Sequence, residues 1–261
     1  MKIAIEHTTA LRCDPGAPAS TQLLRLTPRN TGRQRVLSWE LSLPRPASRD
    51  TDAWGNVQHV LTLDAPGREV VLSARGVVEI GPASADDDGL NPLLFLRPTT
   101  LTQADAALAD FADNFRMPQV RRDVLRALMV AVADQVVLAP APFAGGSAAD
   151  AFARRSGSCH DQAHVFIACA RHLGVPARYV SGYVHAEGRD RVASHGWVEL
   201  HAGDQWHTFD IAHRLDHPTT HLALAIGMDY LDACPVRGVR VAGTREQVAA
   251  TLLAQARQSN Q

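Results

Sequence analysis

The stretch Gly157–Pro176, GSCHDQAHVFIACARHLGVP, decides the fold. Gly157-Ser158-Cys159 is a loop entering a helix, and Gly174 and Pro176 close that helix after Leu173. Working outward, the residues before it read as helical. Thr102-Gln103-Ala104-Asp105 fits a capping box ahead of Leu108, Phe111 and Phe115 at helical spacing. Pro118–Leu138 carries Val120, Val124, Leu128, Val132 and Val136, one apolar stripe every four residues, and Ser147–Asp150 can cap a short helix through Arg155. Beyond Pro176 the pattern switches to strands, at Ala177–Val184, Ser194–His201 and Gln205–Ile211. Residues 1–82 also read as strands, with Thr21–Pro28, Val36–Leu43, Val57–Leu63 and Val70–Ile80 separated by Pro, Gly, Asn and Asp clusters. That order, strands then helices then a β meander, predicts an α+β protein whose N-terminal part is an antiparallel β-sandwich.

The bulk composition narrows the function classes. A chain of 261 residues can bury a large core, and a formal net charge of −1 gives no electrostatic reason to expect nucleic acid or an anionic membrane as partner. No apolar run approaches the ~18–20 residues that span a bilayer. Met1–Arg12 has one Lys and no apolar segment of signal-peptide type, so a cytoplasmic location is expected, with Cys13, Cys159, Cys169 and Cys234 as reduced thiols. None sits in a CxxC pair, so a zinc ribbon or redox motif is not expected.

Cys159 stands out by position. A helix N-terminus carries partial positive charge and free N–H groups, which favour thiolate and can hold an oxyanion on an attacked carbonyl. Cys169 lies ten residues deeper, beside Phe166 and Ile167, and reads as a buried hydrophobe. Among twelve histidines, His195 is selected by strand geometry. If Ala202-Gly203 is a two-residue turn facing His201 with Asp204, then Glu199 faces Trp206, Trp197 faces Thr208 and His195 faces Asp210. An opposed carboxylate fixes the imidazole tautomer and stabilises its cation. Trp197 and Trp206 would then border the site, shielding it from water and contacting substrate. A metal-dependent alternative rests on His201, His207, His213, His217 and His221 with Asp210 and Asp216, and on His160 and His164 one helical turn apart. No HExxH or closed Cys/His pattern is present, so neither metal nor cofactor is expected, and these histidines read as surface residues.

The stretch from Gly157 to Asp210 resembles the transglutaminase-like family of papain-like thiol enzymes, in the bacterial subgroup with an N-terminal β domain. The residues that carry it are Gly157–His164, Leu173-Gly174-Val175-Pro176-Ala177-Arg178-Tyr179-Val180-Ser181-Gly182-Tyr183, His195-Gly196-Trp197-Val198-Glu199 and Trp206-His207-Thr208-Phe209-Asp210. Leu24–Pro28, Trp39 and Asp52-Ala53-Trp54-Gly55-Asn56 resemble its β domain, and Ala225–Tyr230 with Pro235–Val239 resemble a segment after the aspartate. The resemblance places the family's Cys, His and Asp on Cys159, His195 and Asp210. It departs at Gly196, where Ala is usual, and at Ile211-Ala212, where Pro-Thr is usual, a change that could displace Asp210. It implies a sandwich over 1–85, a papain-like catalytic core over 90–243, and a segment 244–261 that could return a strand to the N-terminal domain. It also implies acyl transfer on a peptide or protein amide, most simply hydrolysis by a cysteine peptidase or amidase. An amine acceptor would make it a transglutaminase, and a non-catalytic binding module is the remaining alternative. Asp86-Asp87-Asp88 is the only dense acidic cluster and reads as a solvated linker.

Overall fold

The computed structural model of the chain describes residues 1–12, 19–65, 69–81, 89–116, 118–139, 145–185, 192–239 and 247–249. Cys13, Asp86-Asp87-Asp88 and the tail after 249 lie outside them. The N-terminal strands are β1 (Lys2–Arg12), β2 (Ala19–Thr27), β3 (Gln34–Ser42), β4 (Ser48–Thr51), β5 (Val57–Asp64) and β6 (Glu69–Ile80). Two late strands, β13 (Val236–Val239) and β14 (Gln247–Ala249), join them, giving two four-stranded antiparallel sheets ordered β14-β1-β6-β3 and β13-β2-β5-β4. Leu11, Leu24, Leu26, Leu61, Leu63, Val70 and Leu72 pack into one buried cluster. Each such side chain contributes about 1.5–3 kcal/mol by leaving water.

Among the described residues five α-helices follow in chain order, α1 (Ala106–Asp113), α2 (Arg122–Gln135), α3 (Ala148–Arg154), α4 (Cys159–His172) and, after a third four-stranded sheet, the single turn α5 (Tyr230–Ala233). Short strands β7 (Val137–Leu138) and β8 (Ser156–Gly157) pair in parallel and draw the end of α2 beside the start of α4. The capping box expected at Thr102 is displaced: Asp105 caps α1 through the Leu108 N–H, while buried Thr102 accepts from the Arg171 guanidinium at 2.7 Å. The helix expected over Pro118–Leu138 starts only at Arg122 and stops at Gln135, because Val137 and Leu138 pair as β7. Helix α4 is buried from Asp161 to Arg171, so it forms the centre of the core. Arg171, near its C-terminus, donates to the carbonyls of Phe95, Ala177 and Met228, tying three segments to the helix.

Strands β9 (Ala177–His185), β10 (Val192–Ala202), β11 (Gln205–Phe209) and β12 (His221–Gly227) form an antiparallel sheet ordered β11-β10-β9-β12, against which α4 packs. The β10–β11 turn corrects the expected register. Ala202 pairs with Gln205 and Val198 with Phe209, so the turn residues are Gly203 and Asp204, with φ of 59° and 64°. Both lie in the left-handed region, as a type I′ hairpin turn requires, and the ladder shifts by two residues. Glu199 therefore faces Thr208 and His201 faces Trp206. An even shift keeps every side chain on its expected face. His195 and Asp210 become diagonal neighbours instead of directly opposed ones.

Strand β12 lies at the sheet edge, and two amide side chains from the N-terminal region satisfy its outer backbone groups. Gln34 donates to the Ala223 carbonyl at 2.8 Å and accepts from its N–H at 2.9 Å. Asn56 does the same at Ile226, at 2.7 and 2.8 Å. Asp52 holds Asn56 in turn, accepting from its side chain and its backbone N–H at 3.0 Å each. These paired contacts close an otherwise open ladder and fix the N-terminal region against the strand that begins with His221.

Candidate active site

The thiol is placed by a cap. Ser158 takes extended backbone angles, accepts from the Asp161 N–H, and receives the Asp161 carboxylate on its own N–H at 2.7 Å, a complete capping box. Cys159 is thus the first residue of α4. Among the described residues its own N–H takes part in no hydrogen bond, as expected at a first helical position. Gly157 leaves no room for a side chain, since a Cβ there would meet Asp161 Cγ at 2.9 Å.

His195, on β10, is buried and its Nε2 lies 2.9 Å from Asp210 Oδ2. Its other ring nitrogen, Nδ1, remains to serve Cys159, to which the ring is hydrogen-bonded. Asp210 is fully buried just past the end of β11. Its backbone pairs both ways with Leu215, at 2.7 and 2.9 Å, so the chain turns sharply after it. Ile211, where the family usually has Pro, is buried in the α4 core, and the sequence departure leaves Asp210 within reach of His195.

Two further histidines converge on the same carboxylate, and sequence reasoning assigned neither to it. His213 Nδ1 and His221 Nε2 each lie 2.7 Å from Asp210 Oδ2, and the His213 N–H donates to Oδ1 at 3.1 Å. His221 and His164 are buried, which corrects their reading as surface residues, while His213 is exposed. The donor atoms of His195, Asp210 and His213 lie within 4.8 Å of one another, close enough to hold an ion, yet each imidazole is already hydrogen-bonded to the carboxylate.

The electrostatics follow from these contacts. Burial opposes ionisation of Asp210, but three imidazole hydrogen bonds hold its carboxyl far below the usual carboxylate range. Burial would likewise lower His195, and its bonds to Asp210 and Cys159 push it up to about 10. Burial would raise the Cys159 thiol, but hydrogen bonds to His160 and His195 lower it to about 5. Cys169 provides the contrast, since burial there pushes the thiol well up. Between these values the favoured state is a thiolate beside an imidazolium.

His160 is the unforeseen neighbour of the thiol. Its Nδ1 lies 2.6 Å from the hydroxyl of fully buried Tyr179, and its ring packs 4.7 Å from that of Tyr230. Gly196 makes this possible. A Cβ there would fall inside the Tyr179 hydroxyl and lie 2.8 Å from His160 Nδ1. The absence of the usual Ala at this position, a minor change in sequence terms, is thus coupled to Tyr179.

Trp197 is buried, nearly parallel to His195 with centroids 6.2 Å apart, and meets His221 edge-on at 4.9 Å. Trp206 is half-buried, with the Arg178 guanidinium 4.0 Å above its ring. Both tryptophans line the cleft between this sheet and the N-terminal strands.

Comparison with known proteins agrees with this architecture. Residues 109–211 match the transglutaminase-like superfamily core, and residues 3–79 match the bacterial transglutaminase-like N-terminal region. A Mycobacterium leprae protein of uncharacterised function, ML0607, is 27% identical over 91% of this chain and 92% of its own length. Rv2569c of Mycobacterium tuberculosis, also uncharacterised, is 26% identical over 90% and 86%. The crystal structure of a Cytophaga hutchinsonii protein described as a candidate cysteine protease superposes with a TM-score of 0.77 over 97% of this chain and 91% of that one, at 21% identity. No helix among the described residues is long and apolar enough to cross a membrane. With both its N-terminal sheets and its helix-on-sheet core accounted for, the chain belongs to the transglutaminase-like superfamily.

Proposed function

We propose that this chain is a thiol acyl-transfer enzyme acting on amide bonds through Cys159, His195 and Asp210, with water as the acceptor. The observation that carries the reading is the connected set of a thiol at the start of α4, hydrogen-bonded to a buried imidazole that is itself held by a fully buried carboxylate. In the first half-reaction the Cys159 sulfur attacks the amide carbonyl carbon, and the carbonyl π electrons move to oxygen. The free Cys159 N–H supports that oxyanion. Collapse breaks the C–N bond while the His195 imidazolium gives its proton to the departing amine. The now neutral imidazole takes a proton from water, whose oxygen attacks the thioester carbonyl, and the thiolate leaves. Asp210 keeps the proton on His195 Nε2 throughout, so Nδ1 works on the sulfur side.

Trp197 acts in this proposal by shielding His195 from water, and Trp206 by lining the approach from the cleft. The donor cluster found among the described residues, His195, Asp210 and His213, is rich in nitrogen and does not suit calcium, which takes oxygen ligands. A cytoplasmic setting, which keeps such a thiol reduced, belongs to the same proposal.

The test is a screen of peptide amides, read by mass spectrometry, with and without a primary amine. Release of free acid that is abolished in Cys159→Ala, blocked by iodoacetamide and untouched by a chelator is the expected result. Amine-adduct formation in preference to acid would make it a transglutaminase. Loss of activity to chelator alone would overturn the thiol mechanism, and a thiol no more reactive than free cysteine would favour a binding module.

A further inference from the structure

A cleft of about 470 Å3 opens between the N-terminal strands and the β11-β10-β9-β12 sheet. Among the described residues four guanidiniums line it, from Arg29, Arg33, Arg122 and Arg178, against the single carboxylate of Glu199. That is a concentrated positive charge in a chain whose formal net charge is −1. Three of these cations are partnered: Arg178 pairs with Glu199 at 2.7 Å, Arg122 with Asp216 at 3.2 Å, and Arg29 donates to the Trp54 carbonyl at 3.4 Å. Arg33 differs. Its guanidinium donates to Thr208 Oγ1 at 3.0 Å, and no carboxylate of a described residue lies within 4.0 Å of it. Burial lowers its proton affinity, and the more distant Glu199 only partly opposes this.

Unmet hydrogen-bonding capacity gathers on the same cleft. The Nε–H of Arg33, the Nε–H of Arg122 and Nδ1 of His221 are buried without a partner, and all three residues line it. The His221 Nε2–H is committed to Asp210, so the neutral ring offers Nδ1 as an acceptor. The charge of Arg33 reaches both His217 and His221, and that of Arg122 reaches His217, so the groups share one electrostatic environment. A half-buried guanidinium with no carboxylate partner among the described residues and an unsatisfied Nε–H, as at Arg33, is costly, and a carboxylate or phosphate is the ligand geometry its planar fork fits.

We infer that this cleft is a binding site for an anion of the carboxylate or phosphate class, held by Arg33 and Arg122, with His221 Nδ1 accepting from a hydroxyl or N–H of the same ligand. The inference does not rest on thiol chemistry and is read by binding alone. Isothermal titration at constant ionic strength uses inorganic phosphate and N-acetylglutamate as probes, on the parent and on Arg33→Gln, Arg122→Gln and Arg75→Gln. Arg75 serves as the control because it pairs with Glu40 on the exposed surface of the sandwich. The expected result is saturable one-site binding of at least one probe, weakened about tenfold or more by Arg33→Gln or Arg122→Gln, the scale of one charge-assisted hydrogen bond, and unchanged by Arg75→Gln. Tighter binding of N-acetylglutamate identifies the occupant as an acidic peptide group, and tighter binding of phosphate identifies a phosphoryl ligand. No saturable binding of either probe, or equal weakening in Arg75→Gln, overturns the site. Using both cleft variants keeps the test decisive if one of them fails to fold.

Discussion

Replacing Gly196 with Ala adds one methyl group at the point where three buried groups meet. The new Cβ would fall inside the Tyr179 hydroxyl, 2.7 Å from its Cζ and 2.8 Å from His160 Nδ1. Tyr179 is fully buried between α4 and the sheet, so it cannot swing into solvent. Relief requires backbone movement or rupture of the 2.6 Å bond to His160. Overpacking a filled core costs about 1–3 kcal/mol, and an orphaned buried hydroxyl about 1–3 more. The sum, roughly 2–6 kcal/mol, lowers Tm by about 4–24 °C for a chain of this size. His160 also leaves its place beside Cys159, so the thiol should titrate higher than in the parent. Differential scanning calorimetry and the pH profile of alkylation read the two effects separately. In a Tyr179→Phe background the oxygen nearest the new methyl is gone, and Gly196→Ala should cost at least about 1 kcal/mol less, a coupling of the size found between touching residues. A Tm within about 2 °C of the parent, with no coupling to Tyr179→Phe, would refute the close approach from which this is derived.

Two other perturbations follow from the same contacts. Asn56→Ala removes both hydrogen bonds that close the β12 edge at Ile226, so unfolding free energy should fall by about 1–3 kcal/mol in urea titration; an unchanged midpoint would show that the edge is satisfied some other way. Asp210→Asn puts an amide where three imidazoles converge and cannot accept from all of them, so amide turnover should drop by about 10²–10⁴ through loss of the His195 tautomer. His213→Ala, which removes an exposed partner, should stay within about tenfold of the parent. Equal losses in the two variants would mean that Asp210 acts merely as a structural acceptor.

Much of this architecture was legible in the residues because local chemistry and tertiary structure agree. Ser158 and Asp161 cap α4, Ser147 and Asp150 cap α3, and Gly174 ends α4 with φ of 79°, so the path of the central helix could be read directly. Strand β1 was harder to single out, because its buried face runs Ile3, Ile5, His7, Thr9, Leu11 and two polar residues interrupt the alternation. Strand β4 is exposed throughout and has no apolar signal at all. The hairpin register failed by two residues because Asp204, a non-glycine residue, takes a left-handed conformation that Ala202-Gly203 was expected to supply. The pairing of His195 with Asp210 was nevertheless found, since a two-residue shift preserves the face and a diagonal contact still reaches.

The rest of the site was hidden by distance along the chain. His221 reaches Asp210 only because β12 is held in place by Gln34 and Asn56, which lie more than a hundred residues away in sequence. His213 could have been suspected from its position three residues after Asp210 in a tight turn. His160 follows the cysteine directly, but its role depends on Tyr179 and on the room left by Gly196, a three-way contact with no local signature.

The central claim is that Cys159 is ionised by its surroundings, and the pH dependence of its alkylation by iodoacetamide tests it most directly. At pH 6 a thiol with the ordinary pKa of about 8.5 is roughly 0.3% thiolate, whereas one lowered to about 5 is mostly ionised. The weaker nucleophilicity of a low-pKa thiolate offsets part of that roughly 300-fold gain, leaving about a tenfold faster reaction at pH 6. The midpoint of the profile is therefore the sharper readout. With Cys169→Ser and the other cysteines controlled, the rate should rise through a midpoint near 5 in the parent and shift upward in His195→Ala. A midpoint near that of an ordinary thiol, indifferent to His195, would contradict the account.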